Sequence, residues 1–186
     1  QAMETWERLT EIAQNEDENL FVRMYASEAI GNMKKNESIP VLVELFEETD
    51  PNLRVYVLKG LSNYPENVEA LSVIIQAVRD DHVKVRTEAI DTVKKLEIKD
   101  SVEYLIYRAK NDTEESIKRK ATEALAALNT KEANEYLISV ITEKKGSDNM
   151  KAKTVEELLK AGHTGKNEIL ELASATVKDD KKKVSQ

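Results

Sequence analysis

The chain has 186 residues, 40% of them apolar and 34% charged, with 28 lysines and arginines against 35 acids, a formal net charge of −7 and no cysteine. The apolar share supports a folded core, and the charged share, above the usual quarter, fits a body with much surface. Without cysteine there are no disulfides, thiolate metal sites or thiol nucleophiles, the acidic balance argues against nucleic acid and anionic membranes as partners, and no apolar run reaches the length of a membrane span. The opening Gln1-Ala2-Met3 is compatible with a removed leader, so the compartment, cytoplasmic or bacterial envelope, stays open.

An apolar residue followed by a cation recurs as Val22-Arg23, Leu53-Arg54, Val85-Arg86, Ile117-Lys118 and Met150-Lys151, at spacings of 31, 32, 32 and 33 residues. Such a period marks a solenoid whose units bury their apolar faces against neighbours. The helix before each pair carries its own columns: Leu9, Val41, Val73, Leu105, Leu137 and Ile169; then Thr10, Leu42, Ile74, Ile106, Ile138 and Leu170; then Ala13, Leu45, Ala77, Ala109, Ile141 and Ala173. Apolar residues at i, i+1 and i+4 form the stripe of an amphipathic helix.

The second helix of each unit is keyed to its cation, counted as position zero. Val22, Leu53, Val85, Ile117 and Met150 stand at −1, and Ala26, Val57, Ala89, Ala121 and Thr154 at +3. Ala29, Gly60, Thr92, Ala124 and Glu157 stand at +6, Ile30, Leu61, Val93, Leu125 and Leu158 at +7, and Met33, Tyr64, Leu96, Leu128 and Ala161 at +10. The +7 column is expected to be the most buried. Small residues in mid-helix let neighbouring helices approach closely.

Breaks fall where helix ends need them. Pro40 and Pro51 sit in first turns, where a missing N–H costs nothing. Asp80-Asp81, Asp112-Thr113 and Asp148 are placed to cap following helices. The stretch 144–149 holds the extra residue of the fifth unit and is the longest connection. Five helix pairs and an unpaired eleventh helix near 166–177 give one array over 1–177, followed by a charged tail, 178–186.

These residues resemble HEAT repeats, in particular the short HEAT-like type of the phycobilin lyases. Asp50-Pro51-Asn52-Leu53-Arg54 and Asp81-His82-Val83-Lys84-Val85-Arg86 are similar to the family's Asp-Pro-x-Val-Arg turn, and residues 23–31 to its Arg-x-x-Ala-x-x-Ala-Leu-Gly helix. The fifth unit departs from the pattern, with Thr154 and Glu157 in place of alanines. Neither the ankyrin nor the tetratricopeptide motif is present. The resemblance implies an all-α, right-handed α-solenoid of about five and a half helix pairs. It further implies a structural ladder of Arg23, Arg54, Arg86, Lys118 and Lys151, and a concave face lined by second helices where partners bind.

Catalytic signatures are missing. Gly162-His163-Thr164-Gly165-Lys166 lacks the remaining P-loop residues and joins two helices, so Gly162 reads as a helix end. His82 and His163 have no second histidine at metal-ligand spacing, and no nucleophile or paired-carboxylate set stands apart from the repeats. The reading is a non-enzymatic scaffold without cofactor or metal. At about 100° per residue, the core positions leave +1, +5 and +8 outward. At +5 stand Glu28, Lys59, Asp91, Glu123 and Glu156, and at +1 Met24, Val55, Thr87, Arg119 and Ala152, with Tyr25 and Tyr56 at the flanking +2. Met24, Tyr25, Val55 and Tyr56 are expected to form an anchor patch rimmed by acids, suited to a basic or amphipathic protein or peptide. The alternatives are a nucleic-acid protein such as the HEAT-like alkylpurine DNA glycosylases, or a lyase-type chromophore binder.

Overall fold

The computed structural model describes residues 1–162. Its regular structure is helical: α1 (Ala2–Gln14), α2 (Leu20–Asn32), α3 (Ser38–Leu45), α4 (Pro51–Leu61), α5 (Val68–Ala77), α6 (Val83–Lys95), α7 (Val102–Asn111), α8 (Glu115–Leu128), α9 (Lys131–Thr142) and α10 (Asp148–Lys160). A 3₁₀ turn, Lys99–Ser101, precedes α7, and no strand forms among the described residues. The expected eleventh helix and the tail lie outside the described residues, as does His163.

Two compact units form, Gln1–Tyr104 and Leu105 onward, with the boundary in the first turn of α7. In the first, α2, α4 and α6 pack side by side as one layer and α1, α3 and α5 as the other. In the second, α8 and α10 lie against one another and α9 against both. Short connections make the helices of each pair antiparallel.

The +7 column is buried in every repeat: Ile30, Leu61, Val93 and Leu125 are fully enclosed and Leu158 is 2% exposed. First helices bury their stripe differently in the two units. In the first unit Thr10, Leu42 and Ile74 are buried while Leu9, Val41 and Val73 are half-buried; in the second Leu105 and Leu137 are buried while Ile106 and Ile138 are half-buried. A rotation of one residue about the helix axis separates the two modes, and both keep the third column, Ala13, Leu45, Ala77, Ala109 and Ile141, inside.

Helix ends are fixed by side chains. Asn19, Asp50, Asn67 and Thr130 accept from the free N–H groups of α2, α4, α5 and α9, satisfying donors a helix cannot pair internally. Three expected caps shift by one or two residues. His82 caps α6, its Nδ1 accepting from Lys84 N at 3.1 Å, while Asp80 accepts from His82 N at 2.9 Å. Ser147 caps α10, leaving Asp148 inside the first turn, and Asp112 accepts from the N–H of Glu114, the residue just before α8 begins at Glu115, at 2.9 Å. At the other end, position +11 is left-handed at Lys34, Glu97, Asn129 and Gly162, with φ of 56°, 54°, 52° and 65°. Only Gly162 adopts it without cost.

The arginine ladder ties these ends together within the first unit. Arg23 Nε donates to the carbonyl of Ala13 at 3.0 Å and its Nη2 reaches Glu48 of the following repeat at 3.2 Å. Arg54 pairs with Asp80, and Arg86 Nη1 donates to the carbonyls of Asp80 and Asp81 at 2.9 and 3.1 Å. These cations thus serve packing, as the resemblance implied. In the second unit Lys118 pairs with Glu115 at 3.5 Å on its own helix.

Candidate functional site

In the first unit α4 is buried on three sides, by α2, by α6 and by the first-helix layer, while α2 and α6 each have one second-helix neighbour there. What stays outside is a narrow arc at −2, +2, +5 and +9, positions that fall within about 60° of one another. Met24, expected outward at +1, is buried and only 5% exposed. It lies two turns before Gly31 on the same stripe, and Gly31 is where α2 meets α4. Val55, at the same position, is half-buried. Conversely Val22, expected in the core, is 43% exposed, although Leu53, Val85 and Ile117 at the same position are fully buried.

The arc presents Phe21, Tyr25, Glu28 and Asn32 on α2, Asn52, Tyr56 and Lys59 on α4 with Asn63 just past its end, and Lys84, Glu88, Asp91 and Lys95 on α6. Rows run across the helices. Lys84 Nζ donates to Asn52 Oδ1 at 3.2 Å and Asn63 Nδ2 to Asn32 Oδ1 at 2.9 Å, partners 32 and 31 residues apart. Tyr25 and Tyr56 meet edge to face, ring centroids 5.4 Å apart at 87°. The geometry is favourable by about 1 kcal/mol beyond area burial. Lys59 Nζ sits 5.8 Å from the Tyr56 ring and 3.4 Å from Glu88. Burial, and then the neighbouring Tyr25, hold the Tyr56 hydroxyl above its ordinary pKa.

Tyr25 is 59% exposed and Phe21, one turn earlier, 61%. Sequence reasoning missed Phe21, which stands at −2 where the other repeats are polar (Asn52, Lys84, Ser116, Asn149). From Tyr56 and Val55 a shallow groove of about 260 Å³ continues between α4 and α6, past Val83 and Thr87, with Lys84 and Glu88 at hand. The structure therefore brings together Tyr25, Val55, Tyr56 and Lys59, adds Phe21, and removes Met24.

The acidic column is largely matched by lysines. In the first unit Glu28, Glu88 and Asp91 share the arc with Lys59, Lys84 and Lys95. Glu156 lies 2.9 Å from Lys160 and 3.9 Å from Lys153, and the hydrogen bond from Lys160 holds its carboxyl below the usual range. Glu123 and Glu156 belong to the second unit. No cluster of three metal-ligating side chains occurs among the described residues, nor is any described helix long and apolar enough to cross a membrane.

A family model described as "Spirochaete HEAT repeat protein" matches residues 1–185. The chain belongs to this family. Similar solved structures of the HEAT repeat array include the complex of CpcE and CpcF of phycocyanin lyase from Nostoc, with 14% identity, 92% of this chain and 94% of that one covered, and a TM-score of 0.51. An engineered protein is 16% identical, covering 94% and 89%, with a TM-score of 0.53. A designed armadillo repeat protein is 14% identical, covering 91% and 95%, with a TM-score of 0.50. At these identities the likeness is one of fold. No curated protein matches the sequence of the HEAT repeat array.

Proposed function

We propose that this HEAT repeat protein is a binding scaffold whose first unit docks an amphipathic protein or peptide segment on its second-helix face. The observation that carries the reading is the aromatic run of exposed Phe21 and Tyr25 with half-buried Tyr56, continuous with the groove beside Val55. Rigid aromatic side chains within a polar surround are what interface cores favour. An edge-to-face tyrosine pair is held in place before the partner arrives, so little side-chain entropy remains to be lost.

The partner is read as amphipathic rather than basic. The arc carries three acids and three lysines, so attraction for a cation is weak, whereas an apolar anchor flanked by both charge signs matches the face. Nor does this balance make the cationic groove that duplex DNA needs. The reading is tested by selecting displayed peptides on the full chain and counter-screening on the Tyr25→Ala, Tyr56→Ala double variant. Enriched peptides should share spaced apolar anchors and lose binding to the variant. The same peptides enriched equally on both proteins would contradict it.

A further inference from the structure

One junction breaks the repeat rule. Where α2 faces α4, Met24 at +1 stands with Leu53 at −1; where α4 faces α6, Val55 stands with Val85. Both aliphatic residues at −1 are fully buried. Between α8 and α10 the corresponding residues are Arg119 and Met150, and Met150 is only half-buried. A cavity of about 980 Å³ opens there, reaching Ala109 and Lys110 of α7 and Tyr136 and Val140 of α9. Its size lies at the upper end of small-molecule sites.

The lining has two characters. Ala109, Val140, Met150 and the ring of Tyr136 make it apolar, and the Tyr136 hydroxyl is held above its ordinary pKa by burial and then by Glu143. Four cations, Lys110, Lys118, Arg119 and Lys153, stand against two acids, Glu115 and Glu143. This local positive excess occurs in a chain of net charge −7. Three of the cations are engaged: Lys110 lies 5.3 Å from the Tyr136 ring, Lys118 is 3.5 Å from Glu115, and Lys153 is 2.8 Å from Glu157. Arg119 has no partner among the described residues. Its planar fork suits a carboxylate or phosphate bidentately, which a point charge does not.

We propose that this cavity binds a small amphipathic organic anion, with its acid group on Arg119 and its apolar body against Tyr136, Val140 and Met150. Both departures from the repeat serve that end: the arginine supplies the anion contact, and the half-covered methionine leaves an adaptable apolar wall. The site is independent of the docking face on the first unit.

Amide NMR spectra of the full chain, titrated with 2-naphthoate, neutral 2-naphthylmethanol and inorganic phosphate, test the proposal. Naphthoate should saturate and shift amides within 136–143 and 146–153, and the other two probes should bind at least about tenfold more weakly. Arg119→Gln should weaken naphthoate by roughly tenfold or more, with Arg119→Lys in between. The same spectra report whether a variant is folded, and should Arg119→Gln lose its dispersion, Arg119→Lys carries the comparison. No saturable shift with naphthoate, equal binding by the variants, or equally tight binding of the alcohol or of phosphate alone would overturn it.

Discussion

A Cβ placed on Gly31 would lie 2.3 Å from the Cα of Gly60, so α2 and α4 touch backbone to backbone at this crossing. The approach positions the helices that carry Tyr25 and Tyr56. Gly31→Ala must push main chain against main chain, and an overpacking cost at the upper end, about 3 kcal/mol, is expected. Trp6 reports it, because its indole on α1 donates to Ser38 Oγ at 2.7 Å within the same unit. In urea denaturation followed by Trp6 fluorescence, a loss under about 1 kcal/mol would contradict the contact. Gly60→Ala should cost less, since two of its three nearest neighbours are movable methyls of Leu42, at 3.2 and 3.3 Å.

The fully buried +7 column gives a second expectation. Leu61→Ala in the first unit and Leu125→Ala in the second should each cost ~2–5 kcal/mol, through lost burial and the cavity left behind. Chemical denaturation read by circular dichroism checks both. A cost below about 1 kcal/mol at either would show that the column does not organise its unit.

Glu97 offers a gain. It holds a left-handed φ of 54° just past α6, where Ile98 N donates to the carbonyl of Val93 at 2.9 Å in the manner of a Schellman end. A side chain there costs about 1–2 kcal/mol that glycine avoids. Glu97→Gly should therefore raise stability by roughly 0.5–1 kcal/mol after glycine's larger unfolded-state entropy is subtracted. An unchanged or lowered denaturation midpoint would contradict this.

Of the six tyrosines, Tyr56, Tyr64 and Tyr136 have raised hydroxyl pKa values, burial being the leading cause in each. The folded chain keeps these protons longer than the unfolded chain. Their contribution to stability is complete below the ordinary tyrosine pKa of about 10 and is lost as pH rises through the folded values. Ultraviolet titration of phenolate should show ionisation of part of the tyrosine set delayed past pH ~10 and recovered in urea. A single titration at the ordinary value in the folded protein would contradict it.

Much of the fold was legible in the residues. Cation spacing, the +7 column and Pro51 after Asp50 reported helix pairs because burial and capping act on neighbouring residues. The outward face was read with its phase wrong, and the reason lies at +4. Ser27 and Thr122 are buried there, at 0% and 2% exposure, while their hydroxyls donate to the carbonyls of Arg23 and Lys118 at 2.8 and 2.9 Å. A hydroxyl satisfied by its own helix can be buried cheaply, so a contact face carrying Ser and Thr looks polar in sequence. With that face uncounted, Met24 appeared exposed and Phe21 was passed over. Arg119 is only one more outward residue in the sequence, because the cavity beside it depends on the gap between α8 and α10.

The central claim, that the aromatic run of the first unit docks an amphipathic segment, is tested most directly by dissociation kinetics. A selected peptide bound to the full chain should leave the Tyr25→Ala, Tyr56→Ala variant about a hundredfold faster or more, as expected when two central aromatic anchors are lost. Release from Arg119→Ala, altered in the other unit, should be unchanged, and charge reversal at Glu156 should matter little because Lys153 and Lys160 already match that carboxylate. Equal dissociation rates for the wild-type chain and the tyrosine variant would contradict the account.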